Sequence, residues 1–128
     1  MDSGAIRRRL ALGLAVLTGA GLLAVASPGH AEADDFCSGR KVRTLSFSAG
    51  SVRVYKRDGF VCAVTVAKSA SGRKSMSVSV QARGSRPVAD RGQYTRLAGP
   101  VVVHVGHRCV WIRGSVGSSS ASSGWIMC

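Results

Sequence analysis

Polar and apolar residues alternate along most of the chain after residue 40, as they do in β-strands with one buried face. In the stretch 51–58, Val52 and Val54 share one face, while Arg53 and Tyr55 share the other. Residues 60–66 and 75–83 repeat this alternation, and the Asp58-Gly59 pair between the first two stretches is a strong hairpin signal. The pattern therefore predicts a hairpin followed by a strand with one solvent-exposed face.

Four further segments complete the predicted strands: 42–48, 100–105, 109–113 and 125–128. The first is weaker, with Leu45 and Phe47 facing inward. Three consecutive valines in 100–105 predict a central strand that is apolar on both faces. Residues 116–124 are mostly Gly, Ser and Ala, and they predict an exposed loop. Six or seven short strands without helical periodicity predict an all-β fold, a small antiparallel sandwich or barrel.

The N-terminal segment 1–33 has the features of a secretory signal peptide. Arg7-Arg8-Arg9 precedes an uncharged apolar stretch, and small residues fit cleavage after Ala31 or Ala33. The apolar stretch is shorter and richer in Gly and Ala than the roughly 20 strongly apolar residues that a membrane anchor needs. We therefore expect a cleaved leader and a single secreted, extracellular domain at 34–128, with no membrane span after cleavage.

All four cysteines lie in the predicted exported domain: Cys37, Cys62, Cys109 and Cys128. An even number of cysteines in an exported chain indicates disulfides, and the Cys-x-x-Cys spacing of structural zinc sites is absent from the sequence. Three pairings are possible. Pairing Cys37 with Cys62 and Cys109 with Cys128 is favoured because each bridge closes a short loop, which stabilises the fold by about 3 kcal/mol on the chain-entropy model.

Positive charge dominates the predicted exported domain, which contains 15 Lys and Arg residues but only four Asp residues. The residues that we select as candidates for polyanion binding are Arg40, Lys41, Arg43, Lys56, Arg57, Arg73 and Lys74. Such charge attracts anionic polymers, including wall polymers outside a Gram-positive cell. The alternative is a solvated surface that only maintains solubility. The few aromatic residues show no obvious stacking platform interleaved with the basic residues, so we predict no specific nucleic-acid partner.

The sequence shows no catalytic constellation, and we predict a protein without enzymatic activity, metal or cofactor. His104 and His107 form the only His-x-x-His pair, and on a strand this odd spacing directs the two side chains to opposite faces. Asp58 lies in the predicted hairpin turn, and Asp90 stands alone. Glycoside cleavage normally needs two carboxylates about 5–10 Å apart.

A motif in the second half of the domain consists of Asp90, Gly92 and Tyr94, then Ala98-Gly99-Pro100-Val101, and then Cys109-Val110-Trp111. This arrangement resembles the spore-associated protein A family of small exported actinobacterial proteins. The resemblance implies association with the aerial or spore surface, and it supplies no established activity to carry over to this chain.

The motif residues also have a structural interpretation. Gly99-Pro100 predicts an irregular start to the valine strand. Gly92 is expected in a turn conformation, and Tyr94 and Trp111 are expected to anchor the core. We therefore interpret the motif as architectural.

These observations predict a non-catalytic secreted protein that associates with the spore or cell-envelope surface and binds anionic wall polymers. A first alternative is a secreted protease inhibitor or antimicrobial binding protein that acts through an exposed loop at 67–74 or 116–124. A second is a wall-polymer hydrolase, which would need Asp90 close to His104 or His107. The oligomeric state stays open.

Overall fold

A computed structural model describes residues 36–128, so the predicted signal peptide and its cleavage sites lie outside the described residues. The described chain forms eight strands: β1 (Arg40–Phe47), β2 (Gly50–Arg57), β3 (Phe60–Ala67), β4 (Lys74–Ala82), β5 (Val88–Tyr94), β6 (Leu97–His104), β7 (Val110–Val116) and β8 (Ser119–Ile126). Sheet I has the order β1-β2-β3-β6, and sheet II has the order β5-β4-β7-β8. All pairings are antiparallel, which confirms the predicted fold class.

The core lies between the two sheets and consists of the inward-facing residues that the alternation indicates. Val52 and Val54 of β2 are fully buried, and Leu45 and Phe47 of β1 pack against the core. The predicted inward face of β4 is also buried; it comprises Met76, Val78, Val80 and Ala82. Small β-branched side chains fill this core because they fit a pleated surface with little loss of rotamer freedom.

Two strands, β5 and β8, were not predicted with the bounds that the structure gives them. β5 was not predicted, since its sequence carries few β-branched residues and includes Asp90 and Gly92. The predicted loop at 116–124 is instead a hairpin: β7 ends at Val116, and β8 begins at Ser119 rather than at Trp125. Serine and alanine have weak strand propensity, so the pairing of β8 with β7 is established by tertiary context rather than by local sequence.

The valine-rich strand β6 is an edge strand, not the central strand that its composition predicts. It pairs with β3 alone, and its valines alternate between the two faces: Val101 is buried, whereas Val102 is 56% exposed. A continuous apolar run therefore reflects burial on one side and an exposed apolar patch on the other.

Two disulfides join the cysteines in the favoured pairing, Cys37–Cys62 and Cys109–Cys128. The first bridge holds the segment before β1 across the outer face of sheet I. Beneath it lies a second small core, in which Tyr55 and Val64 are buried beside the bridge. The outward position of Tyr55 was predicted, but its burial arises from this covering segment.

One contact ties the two sheets together through the core. The Thr65 hydroxyl on β3 donates a hydrogen bond to the Ser77 carbonyl on β4, with an Oγ1–O distance of 2.8 Å. Gly114 on β7 leaves space for this contact, because a Cβ at that position would collide with Val52 and Thr65. The close packing of the two sheets thus requires a glycine at position 114, in the centre of the sandwich.

Candidate polyanion-binding face

The outer face of sheet II carries a shallow groove of about 280 Å³. Its floor and walls are formed mainly by Pro87 and by outward-facing residues of all four strands, namely Ser77, Ser79, Ala89, Arg91, Arg113, Ser115, Ser120 and Ser122. We call this set the sheet II groove. The alternation that buries the apolar residues of β4 and β7 places these residues on the opposite, solvent-exposed face.

Hydroxyl groups dominate the floor of the sheet II groove. Ser77 and Ser115 are directly opposite each other on β4 and β7, and their Oγ atoms lie 2.6 Å apart in a hydrogen bond. A serine hydroxyl has one donor and two acceptor sites, so each retains capacity for a ligand after this contact. The floor can therefore exchange hydrogen bonds with a ligand that carries many hydroxyl groups.

Arg91 and Arg113 supply positive charge on two sides of the groove. Arg91 lies on β5 opposite Ser77, and Arg113 lies on β7 opposite Ser79. From the spacing of strands and residues, their backbones are about 12 Å apart. Asp58 and Asp90 are the only acidic residues within 36–128, and neither lines the groove. The two guanidinium groups are therefore not neutralised by a carboxylate of the groove.

A row of two arginines and two tryptophans continues from the groove along the same face. Trp111 and Trp125 are cross-strand partners that meet edge to face, with ring centroids 5.2 Å apart. The guanidinium carbon of Arg113 lies 4.9 Å from the Trp111 ring centroid, and that of Arg83 lies 5.7 Å from the Trp125 ring centroid. Such cation–π contacts orient a guanidinium group while leaving its N–H donors available at the rim.

The Trp111 indole is held in this row by a side-chain hydrogen bond. Its Nε1 donates to the Ser122 hydroxyl over 2.7 Å. Trp111 was expected in the core, but it lies on the outer face because Val110 and Ile112 beside it occupy the inward positions. This expectation was wrong, and the strand alternation already contained the information that contradicts it.

The seven basic residues selected from the sequence fall into two groups at opposite ends of β3. Arg40, Lys41, Arg43, Lys56 and Arg57 lie near the β2–β3 turn. We call these five residues the β1–β2 basic cluster. Arg73 and Lys74 lie at the other end of β3, which is about 23 Å long, so the seven do not form one surface.

Lys74 and Arg73 make contacts within the protein. The Lys74 Nζ donates to the carbonyls of Ser69, Gly72 and Thr95 at 2.7 to 3.0 Å. Arg73 Nη2 donates to the Gln93 carbonyl at 3.2 Å. These bonds hold the β3–β4 loop, which lies within the 67–74 segment, against the end of β5 and the turn that follows it.

The motif around Asp90 forms a structural clamp between β5 and β6. Asp90 Oδ1 accepts a hydrogen bond from the Tyr94 hydroxyl, and Oδ2 accepts one from the Gly99 amide, both at 2.7 Å. The hydrogen bond to Asp90 raises the pKa of Tyr94 above its usual 10.0, with burial and the Asp90 charge acting in the same direction. Gly99 has φ +101° and precedes a cis peptide bond to Pro100, consistent with the expected irregularity.

The remaining motif residues support this clamp. Ala98 and Val101 are buried in the core, and Tyr94 packs against it. Gly92 is not in a turn, as was expected, but in the middle of β5. A Cβ there would lie 3.0 Å from the Tyr94 ring, so the glycine provides space for the tyrosine rather than a special backbone conformation.

The histidines lie at the other end of β6. The Asp90 carboxylate accepts a hydrogen bond from the Gly99 amide, near the start of β6. His104 lies five residues further along this strand, so its backbone is about 16 Å from that of Gly99. His104 contacts the Phe60 ring instead. Within residues 36–128, no cluster of three or more His, Cys, Asp or Glu side chains could hold a metal ion, and no helix could cross a membrane.

Sequence reasoning missed the residues that distinguish this face, namely Arg83, Arg91, Arg113, Trp125 and the groove serines. Strand pairing places Arg83 and Arg113 against the two tryptophans, an arrangement of basic and aromatic residues that the sequence interpretation did not include. The alternation in β4 and β7 could have revealed this face, because the outward-facing positions of these two strands carry serines, Trp111 and Arg113.

Comparison with known proteins gives no match: no family model, no curated protein and no solved structure is significantly similar to this chain. The resemblance to the spore-associated protein A family therefore stays a prediction.

Proposed function

We propose that the protein is a non-catalytic extracellular binding protein that attaches to anionic polymers of the cell envelope or spore surface. The sheet II groove is the proposed binding site. The observation that carries the proposal is the combination, on one open sheet face, of a serine-lined floor with Arg91 and Arg113 on two sides and no carboxylate in the lining.

The proposed ligand is a linear polymer that presents both hydroxyl groups and repeated acidic groups, such as a teichoic acid or an acidic polysaccharide. Guanidinium groups bind phosphates and carboxylates through paired N–H donors, whereas serine hydroxyls exchange hydrogen bonds with polyols. The groove is open and shallow, which suits an extended chain better than a small enclosed ligand.

Single-stranded nucleic acid is the main competing polyanion. Its binding by proteins normally relies on aromatic ring faces on which bases stack. Here the Arg113 guanidinium lies over the Trp111 ring, and the Arg83 guanidinium lies over the Trp125 ring, so each ring already has a cation–π partner. The serine floor and the occupied rings therefore favour a polyhydroxylated polymer over stacked bases.

The disulfides support the location part of the proposal. Two bridges within a domain of this size indicate folding in an oxidising, extracellular type of compartment. Attachment to spores or to the wall, as opposed to release into the medium, is the finer proposal, and it follows from the anionic character of those surfaces.

Intrinsic fluorescence tests the proposal without a label, because Trp111 and Trp125 are the only two tryptophans of the chain, Trp111 is hydrogen-bonded to Ser122 of the groove, and Trp125 contacts Trp111. Titration with purified wall teichoic acid should change the emission and saturate, and a neutral dextran should leave it unchanged. Single-stranded DNA should bind more weakly at equal ionic strength. An unchanged spectrum with all charged polymers, or tighter binding of DNA, would contradict the proposal.

A further inference from the structure

A second surface, on the outer face of sheet I, combines exposed apolar side chains with positive charge. Phe36, Phe60 and Val102 are each about half exposed, at 50%, 49% and 56%, and they line one shallow groove of about 300 Å³. We call these three residues the apolar patch. Soluble proteins expose single apolar side chains routinely, but a contiguous group of large ones marks an interaction surface.

The apolar patch is held in place from three directions. The Cys37–Cys62 disulfide fixes the segment that carries Phe36. Val102 lies opposite Cys62 in the β3–β6 pairing, beside the bridge. Phe60 meets the His104 ring edge to face, with centroids 4.9 Å apart. The three side chains are thus presented from a cross-linked sheet rather than from a loose loop.

Positive charge surrounds the apolar patch on the side of β1 and β2. Arg57 pairs with Phe60 across the hairpin and lines the same groove. Lys41 is opposite Tyr55 and shares this outer face, whereas Arg40 and Lys56, which are opposite each other, lie at inward-parity positions at the same end of the sheet. Asp58 is the one acidic residue of the described chain in this region.

We propose that the apolar patch and the β1–β2 basic cluster dock the protein onto a lipid bilayer with anionic headgroups. Aromatic side chains insert into the interfacial layer, and nearby Lys and Arg side chains attract anionic lipid. The neighbouring charge favours this occupant: Arg57 lines the groove of the apolar patch and Lys41 lies on the same face, an arrangement complementary to an apolar layer beneath negative headgroups.

The small extent of the patch supports lipid over a protein partner. A stable protein–protein interface buries at least about 1,000 Å² with good complementarity, and three half-exposed side chains around a shallow groove provide little of this. A bilayer requires no matched shape, since each side chain inserts on its own. This docking does not depend on the proposed function, because it uses the outer face of the opposite sheet.

Vesicle flotation tests the docking with processed protein purified from the culture medium, after mass spectrometry has established that the leader is absent. We expect flotation with phosphatidylglycerol vesicles and little flotation with phosphatidylcholine vesicles. Binding should persist in part between about 0.1 M and about 0.5 M salt, because insertion of apolar side chains is not screened. The variant F60S should reduce the bound fraction at high salt at least about tenfold.

Matched variants separate insertion from general charge and from misfolding. V88T removes an exposed apolar side chain on sheet II and should leave flotation unchanged. F60W places a third indole in the patch, and the difference between its emission and that of wild type should shift to the blue with phosphatidylglycerol vesicles but not with soluble teichoic acid. Equal flotation of wild type and F60S, or a concentration-dependent dimer that F60S abolishes without any vesicle binding, would overturn the proposal.

Discussion

The Tyr94 hydroxyl donates a hydrogen bond to the Asp90 carboxylate, with an Oη–Oδ1 distance of 2.7 Å, while the second oxygen of the same carboxylate accepts from the Gly99 amide. This carboxylate joins β5 to β6, the two edge strands on one side of the sandwich. Three of the residues that form the recognisable motif of the sequence thus meet at one structural contact, which supports an architectural interpretation of the motif.

Replacing Asp90 with Asn should destabilise the protein by about 1–2 kcal/mol, because the amide nitrogen cannot accept one of the two hydrogen bonds. Urea unfolding followed by tryptophan fluorescence would measure the loss. The Y94F variant should lose less, since only the hydroxyl contact disappears. If the two contacts act through one carboxylate, the double variant should be less destabilised than the sum of the single variants.

The raised pKa of Tyr94 predicts a loss of stability at alkaline pH. The folded state holds the phenolic proton more tightly than the unfolded state, owing first to the hydrogen bond to Asp90. The corresponding stability is present below the usual pKa of 10.0 and is lost as pH rises through the folded pKa. The free energy of unfolding should therefore fall more steeply above about pH 10 for wild type than for Y94F. Parallel curves would contradict the assigned contact.

Gly114→Ala should be strongly destabilising, because the added Cβ would overlap with Val52 and Thr65 in the core. Overpacking of this kind typically costs about 1–3 kcal/mol, and displacement of Thr65 would also break its hydrogen bond to the Ser77 carbonyl. Thermal unfolding of G114A would measure the effect. Ser120→Ala, at an exposed position on the neighbouring strand, is the matched control and should change stability by less than about 0.5 kcal/mol.

Removing the Cys37–Cys62 bridge should cost more than removing the Cys109–Cys128 bridge. The chain-entropy model gives about 3 kcal/mol for each, since the sequence separations of 25 and 19 are similar. The first bridge also covers Tyr55 and Val64, which would become exposed to water on its loss. Unfolding of the two double-alanine variants in urea would compare them, and equal losses would show that the small outer core contributes little.

The sequence predicted the faces of β2 and β4, the Asp58-Gly59 hairpin and the disulfide pairing, because strict alternation and short loops are local features. It failed at β8 and at the position of β6, where pairing with a distant strand decides the outcome. The groove was missed for the same reason. Arg91, Arg113 and Trp125 lie on three strands, and only the register of sheet II brings them onto one face.

The most direct test of the central proposal is the salt dependence of teichoic acid binding by three proteins: wild type, R91Q/R113Q and K56Q/R57Q. Each lost phosphate contact should reduce the slope of log affinity against log salt by about one. We predict a slope lower by about two and clearly weaker binding for R91Q/R113Q, with K56Q/R57Q close to wild type, because Lys56 and Arg57 lie away from the groove. Equal losses in both variants would show that net charge alone binds the polymer and would contradict the assignment of the sheet II groove.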